Sequence, residues 1–64
     1  ELYVSVFSLS ETATGVNLKH LKYELENAVL TNSFPIGISN ETVGKDAVIS
    51  VEKGSLLVVL TKKK

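Results

Sequence analysis

The 64-residue chain contains no cysteine, no methionine and no tryptophan, and it has one proline and one histidine. Without cysteine there is no disulfide framework, and the redox compartment is left open. A single histidine, His20, with no carboxylate cluster beside it provides no metal-ligating set, and no cofactor is implied. The longest unbroken apolar run is Leu56 to Leu60, far short of the roughly 20 residues that span a bilayer. No signal peptide is recognisable. Seven basic residues balance seven acidic ones, so there is no excess of positive charge to capture nucleic acid through its phosphates. The chain begins at Glu1 and lacks methionine, which reads as a processed product or a fragment.

A chain of this length makes one domain, residues 1–64, and buries only about 60% of the surface its unfolded form exposes. Domains this small usually add a disulfide, a metal or a partner subunit. With the first two removed, association with another protein, above all a second copy, is the expected support.

Leu2 to Leu9 is rich in β-branched and aromatic residues, with Leu2, Val4 and Val6 on one face and Tyr3, Ser5, Phe7 and Leu9 on the other. It reads as a first strand. Ser10 to Gly15 reads as a loop. Leu18, Leu21, Leu25, Ala28 and Val29 recur at three-and-four spacing, which predicts a helix over 16–30, with Lys22 and Glu26 paired four residues apart. Asn32, Ser33 and Pro35 stop it. Ile36 and Ile38 suggest a short edge strand, and 40–46 a loop. Ala47 to Glu52 and Ser55 to Thr61 predict two further strands joined at Lys53-Gly54 as a hairpin; a two-residue turn sets Val51 facing Leu56, and a three-residue turn with a bulge shifts that register.

These elements predict an α+β fold, a βαββ arrangement resembling half of a ferredoxin-like domain. Its three-stranded, antiparallel-type sheet has strand order 1-3-2, and the one helix covers one face. Nothing remains to cover the other face, which would carry Val48, Leu57 and Val59 with Tyr3 and Phe7. An exposed contiguous apolar patch marks an interaction surface, and an open edge strand invites pairing. The expected function is therefore a non-catalytic interaction or self-assembly module with no enzymatic activity.

Other constellations are weaker as chemistry. His20 lacks an acid or nucleophile at an arguable spacing, and Glu24 and Glu26 diverge on a helix. Val43-Gly44-Lys45-Asp46 lacks the first glycine and the hydroxyl residue of a P-loop, and a strand follows it. Tyr3 and Phe7 with the tail Lys62 to Lys64 suggest an RNA-binding sheet, but the last strand lacks the aromatics on which bases stack. Asn40-Glu41-Thr42 fits the N-glycosylation tripeptide.

The turn Gly54-Ser55 followed by Leu56-Leu57-Val58, after a strand and an amphipathic segment, resembles the SEA domain of mucin-like and cell-surface proteins. That resemblance implies an extracellular setting and self-cleavage at Gly54-Ser55, with the Ser55 hydroxyl as nucleophile. The chain departs from the family in stopping after βαββ and in carrying Leu56 and Leu57 where valines are preferred.

Overall fold

The computed structural model describes residues 2–32 and 38–63. Six strands make up the regular structure of these residues: β1 (Leu2–Ser8), β2 (Thr12–Lys19), β3 (Leu25–Thr31), β4 (Ile38–Glu41), β5 (Val48–Ser50) and β6 (Leu56–Lys62). They form two antiparallel three-stranded sheets, ordered β4-β1-β6 and β3-β2-β5. The shortest dimension is 14 Å, which suits two layers packed about 10 Å apart. The fold is all-β, which corrects the expected α+β arrangement and its helix.

The β1 alternation is used as it reads. Val4 and Val6 are buried and Ser8 nearly so, while Tyr3 faces out. Ala13, Val16 and Leu18 of β2 and Leu21 beyond it complete the buried apolar set, with Leu25, Ala28, Leu30, Ile49, Val51 and Leu56 packed against it. Each fully buried Val or Leu contributes about 1.5–3 kcal/mol, so a core this small leaves a thin margin.

The segment expected to be helical is the end of β2, a turn, and β3. Two bulges explain why its apolar spacing looks helical. Between the pairs Ala13↔Leu30 and Val16↔Ala28, β2 spends three residues against two on β3. Gly15 takes up the extra residue at φ 64°. Between Val16↔Ala28 and Leu18↔Leu25 the excess lies on β3, where Asn27 adopts φ 50° and donates its N–H to Asn17 Oδ1 at 3.0 Å. A bulge shifts side-chain parity by one, so Ala13/Val16 and Leu25/Ala28 sit three apart yet face the same core. Val29, which a helical stripe would have buried, is 60% exposed. Ser10 to Gly15 is likewise not all loop, since β2 starts at Thr12.

The expected hairpin at Lys53-Gly54 is also replaced. β5 pairs with β2, through Asn17↔Ser50, Leu18↔Ile49 and Lys19↔Val48, whereas β6 pairs with β1 from Leu2↔Lys62 to Ser8↔Leu56. The chain therefore changes layer between β5 and β6, so Ile49 and Leu56 approach one core from its two sheets and Val51 does not face Leu56. The crossing is tight. Gly54 sits at φ 101°, and a Cβ there would lie 2.6 Å from Ser10 Oγ and 2.7 Å from Thr12 O. Only glycine fits that approach.

Ile38–Glu41 is the edge strand β4, antiparallel to β1, so Asn40 and Glu41 belong to a sheet and not to a loop. The expected stop at Ser33 and Pro35, and Ile36, lie outside the described residues.

Candidate functional site

Among the described residues, Asn40 is the polar side chain that the fold buries most deeply, at 2% exposure. Its carboxamide uses both ends. Oδ1 accepts from the N–H of Tyr23 at 2.9 Å and from that of Glu41 at 3.0 Å, and Nδ2 donates to Tyr23 O at 2.5 Å. An amide side chain offers a donor and an acceptor in one plane, so Asn40 pairs with the Tyr23 backbone much as a neighbouring strand would. The neighbouring bond from Lys22 N–H to Glu41 O at 2.9 Å continues this tie between the β2–β3 turn and β4.

Held in this way, Tyr23 presents its ring at 57% exposure. Tyr3 is the register partner of Glu41 on β1, so the chain's two tyrosines flank one carboxylate. Glu41 Oε2 lies 3.1 Å from Lys22 Nζ, and Oε1 lies 2.6 Å from Lys63 Nζ. Each lysine also approaches a ring: Lys22 Nζ is 5.4 Å from the Tyr23 centroid, and Lys63 Nζ is 5.3 Å from that of Tyr3. The bonds from Lys63 and then Lys22 hold the Glu41 carboxyl below its ordinary value, and the bond to Glu41 raises the Lys22 ammonium. The corner thus joins two exposed aromatic faces to a fixed, ionised charge cluster. Such a surface suits a flat, partly polar ring, which gains from stacking and from the polar groups at its rim.

A concavity of about 410 Å³ opens beside the β2–β3 turn and is lined by Leu18, Lys19, His20, Glu24, Leu25 and Glu26. His20 turns the chain here at φ 61°. Its N–H donates to Glu24 Oε2 at 2.7 Å, and its Nδ1 donates to Asp46 O at 2.9 Å. Glu24 and Glu26, expected to diverge, line one cleft. Lys22 pairs with Glu41 and not with Glu26.

The residues expected to form the interface divide between the sheets. Tyr3, Phe7, Leu57 and Val59 share the outer face of the β4-β1-β6 sheet, as the register Phe7↔Leu57, Ser5↔Val59 and Tyr3↔Thr61 requires. Val48 lies on β5 in the other sheet, 46% exposed. Asn40, the glycosylation candidate, has its Nδ2 engaged inside the fold. Gly54 and Ser55 form the interlayer crossing, with Ser55 N–H donating to Ser10 Oγ at 3.1 Å. The lysine tail is partly structured: Lys62 ends β6 and Lys63 binds Glu41. Tyr23, Glu41 and Lys22 were not anticipated as a site. The one local signal was the polar run Ser39-Asn40-Glu41 after aliphatics, which says nothing of a partner seventeen residues away.

Residues 1–56 match the family model described as thiamin pyrophosphokinase, vitamin B1 binding domain. No curated protein and no solved structure matches the chain. The match is to a different family from the SEA domain, which removes the basis for cleavage at Gly54-Ser55, and it ties the chain to a family named for an enzyme.

Proposed function

From the premise that the chain belongs to the thiamin pyrophosphokinase vitamin B1 binding domain family, we propose that it binds thiamin and takes no part in bond-making itself. The observation that carries the reading is the family match over residues 1–56. The corner pinned by Asn40 adds a surface of suitable chemistry. Thiamin joins a neutral aminopyrimidine to a cationic thiazolium, so it needs a stacking surface and polar partners at the ring edges. Tyr23 offers an exposed face whose backbone is held on both sides by Asn40. Aromatic faces also attract ligand cations.

Thiamin titrated into the chain should quench tyrosine fluorescence saturably, there being only Tyr3 and Tyr23 to report and no tryptophan. Tyr23→Ala should weaken binding about tenfold, the equivalent of roughly 1.4 kcal/mol of stacking, and Tyr23→Phe should retain it. Absence of saturable binding at millimolar thiamin would refute the reading. Equal affinity in Tyr23→Ala would remove this corner from it.

A further inference from the structure

Thiamin carries one neutral and one cationic ring, and a tyrosine face attracts both kinds. The ring of Tyr23 already has a cation over it. Lys22 Nζ lies 5.4 Å from its centroid, inside the roughly 6 Å at which an ammonium is drawn to an aromatic face. This lysine does not swing freely, although half of its side chain is exposed. Its backbone N–H donates to Glu41 O at 2.9 Å and its Nζ donates to Glu41 Oε2 at 3.1 Å. Glu41 therefore grips both ends of the residue, and the same bond holds the ammonium above its ordinary pKa, so the charge persists at neutral pH.

The arrangement recurs at Tyr3. Lys63 Nζ lies 5.3 Å from that ring and is held by the other oxygen of Glu41. Both tyrosines of the chain thus carry an internal cation. Two ammonium groups stand against one carboxylate, which leaves the corner with an excess of positive charge, and both carboxylate oxygens already face a lysine.

We propose that Lys22 is a specificity-determining residue of this corner, which reserves the Tyr23 ring for a neutral aromatic ligand and turns a cationic ring away. For thiamin this rests on the binding proposed above, and it fixes the orientation: the aminopyrimidine lies on Tyr23 and the thiazolium stays outside. A cation approaching the covered side of the ring must displace the Lys22 ammonium from the ring and from Glu41. A cation on the opposite face stays within about 10 Å of that ammonium, roughly one Debye length at about 0.1 M salt, and is repelled by it. A neutral ring meets no such repulsion, and the tyrosine still offers it an apolar area for stacking.

The two halves of thiamin are the probes: N-methylthiazolium and a neutral methylaminopyrimidine, each titrated while the Tyr23 ring protons are followed by NMR. In the parent the aminopyrimidine should bind the more tightly of the two. Lys22→Met keeps a long side chain without its charge. It should move the ratio of the two affinities towards the thiazolium by about two- to fivefold, the size of a cation–π contact at an exposed site. Lys22→Arg puts a cation back over the ring and should return the ratio to that of the parent. An unchanged ratio in Lys22→Met overturns the proposal. So does a parent that prefers the thiazolium, or the absence of any shift by either half in all three chains. Thiamin titrated into the same chains separates the two failures. Saturable thiamin binding with an unchanged ratio leaves thiamin recognition standing and removes the role of Lys22; a shifted ratio without thiamin binding does the reverse.

Discussion

Replacing Asn40 with alanine tests how the turn, the edge strand and the aromatic corner are held together. The substitution removes three hydrogen bonds at once: those to the N–H and C=O of Tyr23 and to the N–H of Glu41. A net contribution of about 1 kcal/mol per bond gives a loss of about 3 kcal/mol, and groups left unpaired under cover cost more. At about 0.05–0.15 kcal/mol per residue, a domain of this length has only about 3–10 kcal/mol of stability. Asn40→Ala should therefore remove a third or more of it and lower the melting temperature by about 12–24 °C. Urea unfolding followed by circular dichroism measures the difference directly, with an unchanged m-value expected if the fold is kept. Asn40→Asp keeps acceptors for the two N–H groups but sets a carboxylate against Tyr23 O, so it should lose about 1–3 kcal/mol. A loss below about 0.5 kcal/mol in Asn40→Ala would mean that water replaces the carboxamide, and the reasoning would fail.

Two further outcomes follow from the same structure. Gly54→Ala should cost at least about 2 kcal/mol, since it combines a positive φ with a methyl group driven into Ser10 and Thr12; a urea midpoint within error of the parent would refute the close approach. Glu41 has a folded pKa held below its ordinary 4.5 by Lys63 and Lys22, so its ion pairs add stability at neutral pH that is lost as pH falls through that lowered value. The urea midpoints of the parent and Glu41→Gln should accordingly differ at pH 6 and converge once the pH has fallen below the lowered Glu41 value, and a constant gap would show that the pairs do not act.

How far the sequence could be read depended on how local each feature was. The alternation of Val4 and Val6 against Tyr3 and Phe7 needs no knowledge of distant residues, and β1 forms where it was expected. The β2–β3 region misled because two bulges altered the parity of strands. Once Gly15 and Asn27 take φ > 0, inward residues fall three apart, and a three-residue interval is also what a helix offers. Asn17 and Ser50, whose side chains meet across sheet neighbours, likewise belong to strands that only pairing reveals. Gly54 was legible as a glycine that needs a positive φ, but a hairpin and an interlayer crossing make the same demand on it. The candidate corner was least legible. Tyr3, Tyr23, Asn40 and Lys63 are far apart in the chain, and each alone reads as ordinary surface or turn chemistry.

By itself the sequence determined that the chain has no disulfide, that Leu2 to Leu9 alternates as a strand, and that the last strand, Ser55 to Thr61, is apolar on both faces. These follow from residue identity and period two, which are properties of neighbours. The tertiary structure decided which runs share a sheet, that β5 and β6 lie in opposite layers, and that Asn40 is an internal tie. Those outcomes depend on where backbone groups separated by tens of residues find their partners. The physical reason is that a strand, unlike a helix, leaves its hydrogen bonds to be completed by whichever distant segment the packing brings alongside.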